Sequence, residues 1–174
     1  MINCPFCSAE NIEGADSCEG CGQSLADTHI TAPASELERS LLKDRVSVLQ
    51  PKKPITVALQ APVREVLQLM VEKRIGCALV VDKDQLVGIF TERDALTRIG
   101  ALAPEVGDCP VSQFMTSGPR TLTLDAKVAF AVRMMDQGGY RHIPVVDKDQ
   151  KPIGAVSARD ILRYCADKLA ATAV

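Results

Sequence analysis

Apolar residues recur along this chain with two spacings, and each spacing marks a kind of element. Val63, Val66, Leu67, Met70 and Val71 fall three or four apart, which places them on one face of a helix. Val128, Ala131, Val132 and Met135 repeat that pattern further on. Short β-rich runs follow each helix: Cys77–Val81 and Leu86–Phe90 after the first, Ile143–Val146 and Ile153–Val156 after the second. The polar turn Asp-Lys-Asp-Gln separates the two runs of each pair. An extended stretch precedes each helix (Ile55–Leu59 and Thr121–Leu124), and a second helix closes each series (Glu92–Ile99 and Ala158–Leu169). The predicted order is strand-helix-strand-strand-helix, twice, in an α+β chain.

The two series are copies of one unit. Val-Val-Asp-Lys-Asp-Gln stands at Val80–Gln85 and again at Val145–Gln150. A shift of 65 residues lays Val46–Gln85 on Val111–Gln150 with fourteen of forty positions identical, and the extra Lys151 moves later segments to an offset of 66. Two copies of one supersecondary unit imply a pair about a pseudo-twofold axis, with two equivalent clefts. Upstream, Ser35-Glu36-Leu37-Glu38 has the form of a helix capping box, and Leu37, Leu41 and Leu42 give the helix an apolar stripe. Pro51 and Pro54 end any helical run before the first strand. The expected layout is a small N-terminal domain at 1–27, a linker and helix at 28–45, and repeats at 46–104 and 105–174. Within it Gln23–Ala34, with Pro33, reads as a polar connector.

A composition 47% hydrophobic and 24% charged is that of a globular chain and excludes a disordered one. Trp is absent and aromatics are 3%, so the core is aliphatic. No apolar run reaches the ~18 residues a membrane span needs. The first residues lack the basic-then-apolar order of a signal peptide, which makes the cytoplasm the expected compartment. The net charge of −2 is unevenly spread: residues 1–27 hold Glu10, Glu13, Asp16, Glu19 and Asp27 and no Lys or Arg.

Four cysteines form Cys4-Pro5-Phe6-Cys7 and Cys18-Glu19-Gly20-Cys21. Each Cys-x-x-Cys turn offers two thiolates to one ion, and two such knuckles complete a tetrahedron. Gly14, Gly20 and Gly22 supply the freedom that tight knuckles need. So short a segment cannot bury a core, and the metal would supply most of its folding energy. The pattern resembles the short zinc-ribbon family over residues 4–21, which implies structural zinc on Cys4, Cys7, Cys18 and Cys21, with iron the competing ion. Two disulfides or a redox dithiol are the alternatives, disfavoured by a reducing compartment and by the pairing of knuckles. Four cysteine ligands leave no open position for catalysis. The acidic charge argues against nucleic acid as the ribbon's partner, since phosphate binding needs Lys and Arg. A protein-docking knob and a plain folding cap remain as readings. Cys77, Cys109 and Cys165 have no mutual spacing and read as small buried apolar residues.

Gly88-Ile89-Phe90-Thr91-Glu92-Arg93-Asp94 and Gly154-Ala155-Val156-Ser157-Ala158-Arg159-Asp160 place a hydroxyl and a carboxylate three residues apart at each closing helix. Hydroxyl-x-x-Asp at a helix start is a capping pattern in its own right. The same geometry also serves a ligand: a helix N-terminus attracts anions, and a nearby carboxylate accepts the hydrogens of a ribose diol. Gly88 and Gly154 would let the backbone turn tightly and approach a ligand.

With these marks recurring in register, residues 40–168 resemble a tandem cystathionine-β-synthase-type (CBS) domain pair, the Bateman module. The resemblance implies three-stranded sheets each with two helices, homodimerisation, and binding of AMP, ADP, ATP or another adenosyl ligand. It makes Asp94 and Asp160 ribose ligands, with Thr91 and Ser157 on ribose or phosphate. It adds Thr56, Cys77 and Ala78 in the first half and Thr121, Arg141, His142, Ile143 and Pro144 in the second. Arg120, Arg141 and His142 make the second half richer in cations, while the first offers Lys52, Lys53 and Arg93. No nucleophile–base pair, phosphate-binding loop or metal-binding His pair is present, so the chain does not read as an enzyme. The function expected is a regulatory adenine-nucleotide sensor signalling to a protein partner through the ribbon. A ligand-free dimeric adaptor and a nucleic-acid-binding ribbon protein are its alternatives.

Overall fold

The computed structural model describes residues 2–4, 7–12, 15–25 and 35–172. Of the expected connector at Gln23–Ala34, residues 26–34 lie outside the described residues, as does Gly14, while Gln23 and Leu25 are buried, Leu25 in the core of the cysteine domain. In chain order the elements are β1 (Ile2–Asn3), β2 (Glu10–Asn11), α1 (Glu36–Lys43), β3 (Thr56–Ala58), α2 (Val63–Lys73), β4 (Cys77–Asp82), β5 (Gln85–Thr91) and α3 (Glu92–Asp94). Then come α4 (Ala103–Val106), β6 (Thr116–Ser117), α5 (Val128–Gly138), β7 (His142–Val146), β8 (Pro152–Ser157) and α6 (Ala158–Thr172). The chain forms two compact units, one of residues 51–122 and 142–156, the other of residues 1–50, 123–141 and 157–174.

In the first unit β3 runs parallel to β4, β4 pairs antiparallel with β5, and β5 with β6. Ala78, Leu79 and Val80 of β4 are buried, and α2 packs Val63, Val66 and Met70 against Ala78 and Val80. Phe90, fully enclosed, anchors this cluster, a burial that stabilises by about 2–3 kcal/mol. The second repeat's strands build a sheet of the same order. β7 pairs β8, Leu122 bridges parallel to Val145, and Lys52 bridges antiparallel to Ala155. The expected strand at Thr121–Leu124 is therefore one bridging residue, held by Leu122 N donating to Pro144 O at 2.9 Å and Val146 N donating to Leu122 O at 2.8 Å. Each repeat's outer partner comes from the opening segment of the other repeat: Thr116–Ser117 serves the first, Pro51–Lys52 the second.

Gly88 and Gly154 correct the expectation placed on them. Neither has a left-handed φ. Gly88 leaves room for the Met115 side chain, whose sulfur lies 2.2 Å from where a Cβ would stand, and Gly154 leaves room for Pro51 at 2.7 Å. They are slots that admit the outer partner onto the sheet, not turns.

The identical hexamers turn differently. In the first copy Lys83 (φ 47°) and Asp84 (φ 68°) are both left-handed between the paired Asp82 and Gln85, as in a two-residue hairpin. In the second, Lys151 lengthens the loop, only Gln150 is left-handed (φ 58°), and the Asp147 carboxylate accepts from the amides of Asp149 and Lys151, both at 2.9 Å.

In the other unit, Ser35 caps α1 as its sequence predicts, its hydroxyl accepting from Glu38 N at 3.1 Å. Asp44, at the C-terminal end of α1, ties the helices together. Its carbonyl accepts from Val128 N at 2.9 Å, at the start of α5. Its carboxylate accepts from Tyr164 Oη at 2.9 Å and pairs with Lys168 Nζ at 2.8 Å, both on α6. Lys168, with Tyr164, holds the Asp44 carboxyl below its ordinary 3.8. A carboxyl lowered on folding stabilises fully above its unfolded value and loses that effect as pH falls through the folded one. Asp44→Asn is therefore expected to lower stability by about 1 kcal/mol at pH 7. The difference should shrink as pH falls below 3.8, and thermal unfolding of both proteins across pH 2–7 checks it.

Candidate functional site

Three constellations carry chemistry: the cysteine quartet and the two hydroxyl–carboxylate pairs. Cys4, Cys7, Cys18 and Cys21 come together with all four sulfurs within 4.8 Å of one another. Cys4 and Cys21 sulfurs are 3.8 Å apart and those of Cys7 and Cys18 3.5 Å. A tetrahedral ion with metal–sulfur bonds of about 2.3 Å needs sulfur–sulfur edges of about 3.8 Å. The quartet fits such an ion. Burial opposes ionisation of Cys18, but the backbone amides of Cys21 and Gly20, the Cys7 thiol and the Asn11 amide bring it down to about 6. Gly22 (φ 68°) makes the left-handed turn behind the second knuckle, and Gly20 sits where a Cβ would meet Ala9 at 2.7 Å. Cys4, Cys18 and Leu25 form a small core against which Phe130 of α5 packs. The ribbon is thus seated on a helix of the second repeat, a contact that no spacing in the sequence indicates.

At the end of β5, Thr91 caps the next helix with both halves of a capping box. Asp94 N donates to Thr91 Oγ1 at 3.2 Å, and Thr91 N donates to Asp94 Oδ2 at 3.0 Å. The Thr91 hydroxyl also donates to Oδ2 at 2.6 Å. Asp94 is buried, and its other oxygen, Oδ1, meets Thr116 Oγ1 and Arg98 Nε, each at 3.3 Å. Backbone Glu92 N donates to Gly76 O at 3.1 Å, locking the helix start against the start of β4. Cys77 pairs with Thr91 in the sheet, and burial, with Glu92 nearby, pushes its thiol up to about 12, so it stays neutral. Ala78 is wholly enclosed. Thr56 is exposed and borders an open depression of about 460 Å³ whose lining, Thr56–Gln60 and Val81–Asp84, includes neither Thr91 nor Asp94.

The second pair repeats the first. Ser157 N donates to Asp160 Oδ2 at 2.8 Å, the Ser157 hydroxyl donates to the same oxygen at 2.6 Å, and Asp160 N donates to Ser157 Oγ at 3.3 Å. Ala158 N donates to Arg141 O at 2.9 Å, matching the Glu92–Gly76 bond. Arg141 is exposed and lies in the same unit as Ser157 and Asp160. Thr121, His142, Ile143 and Pro144 belong to the other unit, where Ile143 and Pro144 are buried and the His142 ring lies over Gly76. Cys109 and Cys165 are half-buried, more open than expected of core residues.

The same hydroxyl–carboxylate closure, built twice at the junction of a strand and a helix, decides the family once sequence is added. The CBS domain matches residues 46–101 and again 111–167. This chain belongs to the CBS-domain family. The CBS domain-containing protein CBSCBSPB1 of Arabidopsis thaliana is 29% identical over 150 residues, 85% of this chain but 27% of its own length. An uncharacterized 17.7 kDa protein of Acidianus ambivalens is 32% identical over 124 residues, 71% of this chain and 74% of its own. The chain therefore spans about a quarter of the Arabidopsis relative and three quarters of the archaeal one. Among solved structures, a CBS domain protein of Pyrobaculum aerophilum complexed with AMP is 28% identical, covering 71% of this chain and 98% of that one at a TM-score of 0.61. The CBS domain pair of protein MJ0100, in complex with 5-methylthioadenosine and S-adenosyl-L-methionine, is 26% identical, covering 71% and 97% at 0.63. No helix among the described residues is long and apolar enough to cross a membrane.

Sequence reasoning missed Arg98 and Thr116 beside the CBS carboxylate Asp94. Arg98 stands four residues after Asp94, the spacing of helical ion pairs, and was legible on that ground. Thr116 lies twenty-two residues away, and only the β5–β6 pairing brings it in.

The quartet yields a direct expectation. Elemental analysis of reduced, chelator-free protein should find one metal ion per chain, and Cys18→Ser should release it. Hydrogen exchange should then quicken in residues 2–25 and at Phe130, with the repeat strands β4, β5, β7 and β8 unchanged.

Proposed function

We propose that this chain is a regulatory module that binds an adenosine-containing small molecule, AMP, ADP, ATP or an S-adenosyl compound, and passes the bound state to a protein partner. The observation that carries the reading is a carboxylate joined to a hydroxyl at a helix start, formed once in each repeat, buried at Asp94 and half-buried at Asp160. One such pair is a helix cap. Two in register, in a chain similar to proteins solved with AMP and with S-adenosyl-L-methionine, point to a ligand. The helix N-terminus favours phosphate, and the carboxylate accepts the ribose hydroxyls. Arg141, exposed beside the α6 start, supplies a cation for phosphate. Signalling follows when the ligand binds two arrangements of the module with different affinities. The ribbon, with zinc as its ion, is the acidic surface offered to the partner, and the module works as a cytoplasmic homodimer rather than as an enzyme.

A thermal-shift panel tests the ligand. AMP, ADP, ATP and S-adenosylmethionine at 100 times Kd each stabilise a binder by about 2.7 kcal/mol. At least one should raise the melting temperature, and no shift with any of them favours the ligand-free adaptor. Asp160→Asn keeps the shape and one accepting oxygen, so it should cost at most about 1 kcal/mol of stability. It removes the charge that holds the diol, and affinity should fall about tenfold or more. Unchanged binding of all four compounds would make Asp160 only a cap.

The dimer is tested by mass. Val71 stands exposed on α2, and Leu162 and Leu169 on α6, apolar residues on helix faces that a second copy would cover. Light scattering at micromolar concentration should give about twice 18.7 kDa, and a monomer mass with and without nucleotide would refute it.

A further inference from the structure

The two carboxylates share a cap but differ in what they have left to offer. An ionised carboxylate has about four lone-pair positions. On Asp94 three are hydrogen-bonded, Oδ2 by the amide and hydroxyl of Thr91 and Oδ1 by the Thr116 hydroxyl, and Arg98 Nε stands ion-paired against Oδ1 at 3.3 Å, over what is left. Arg98 is itself pinned, with Nη1 donating to Phe114 O at 3.0 Å and Met115 O at 2.5 Å, and Nη2 donating to Thr116 Oγ1 at 3.3 Å. Its guanidinium thus clamps the carboxylate to the segment that feeds β6. On Asp160, Oδ2 is bound by Ser157 in the same way, but among the described residues Oδ1 has only Arg163 near it, at 3.7 Å, beyond hydrogen-bond reach.

The difference is written into the repeat. At the offset of 66, Arg98 corresponds to Tyr164, whose hydroxyl donates to Asp44 instead. At the offset of 65, Thr116 corresponds to Pro51, which has no hydroxyl. Both groups that face Asp94 Oδ1 are therefore replaced at the equivalent positions of the second copy's sequence pattern.

We propose that Arg98 is a built-in occupant of the first nucleotide site, so that the wild-type chain binds one adenosyl ligand, at Asp160, and the Asp94 site opens only when Arg98 is withdrawn. This rests on the nucleotide-binding reading above and assigns its stoichiometry. A ribose diol needs accepting positions on the carboxylate, and at Asp94 it must displace a guanidinium that also holds two backbone carbonyls. Arg98 is a positioning residue: it touches the carboxylate and acts on the ligand through it.

Isothermal titration of the full-length protein with AMP, ATP and S-adenosylmethionine decides it. Wild type should saturate at one ligand per chain. Arg98→Met keeps the length of the side chain without its donors and should bind two, while Arg98→Met combined with Asp94→Asn should return to one. Asp160→Asn is a test that leaves Arg98 in place: it should lower the single wild-type affinity about tenfold or more, with no second, unperturbed site remaining. Two ligands per wild-type chain, or one undiminished equivalent in Asp160→Asn, overturns the assignment and leaves nucleotide binding standing. No binding of any probe by wild type or by Arg98→Met overturns the nucleotide reading itself.

Discussion

A helix that starts straight out of a buried strand leaves its first amides without partners, and a strand end cannot move to let water reach them. In both repeats a hydroxyl on the last strand residue and a carboxylate three residues later meet that deficit together. The closure fixes where the strand stops, the direction the helix takes, and the position of a negative charge at the junction. The rest of each repeat supports this corner: the backbone bond from the helix start to the beginning of the neighbouring strand is the same in both, Glu92 to Gly76 and Ala158 to Arg141. A ligand that reads the corner reads a charge held in place by main-chain geometry.

Duplication supplies two corners, and the exchange of outer segments makes them unequal. The opening stretch of the second repeat lies on the first repeat's sheet, and the opening stretch of the first lies on the second's. Gly88 and Gly154 are the slots that admit them, filled by Met115 and Pro51. Because the two segments have diverged, one brings Thr116 beside Asp94, and the other has Pro51 at the equivalent position of the sequence.

The cysteine ribbon adds a third, separately built element with its own energetic source. Its core is Cys4, Cys18 and Leu25, too little to fold by apolar burial alone, and Phe130 of α5 packs against it. A metal held by the four cysteines would therefore be linked to the seating of the ribbon on that helix through one aromatic side chain. Asp44 performs the corresponding task for α1, holding it to α5 by its carbonyl and to α6 by its carboxylate.

Local physics made much of this readable in one dimension. Helical spacing gave α2 and α5, the Ser35 box gave the start of α1, and the recurrence of hydroxyl-x-x-Asp after a Gly-led strand gave both corners and the family. Two Cys-x-x-Cys knuckles gave the metal quartet, because ligands close in sequence are close in space. What the sequence left open depends on long-range pairing. Thr116 reaches Asp94 only because β6 lies on β5, Pro51 reaches Gly154 only through the exchanged segments, and Phe130 meets the ribbon across more than a hundred residues of chain. Even the identical hexamers take different turns, since one inserted residue, Lys151, changes the loop length that selects the turn. Periodicity and capping are local free energies and leave a mark on neighbouring positions. The state of a carboxylate's last lone pairs is set by whichever distant donor the fold delivers, and no spacing along the chain records that.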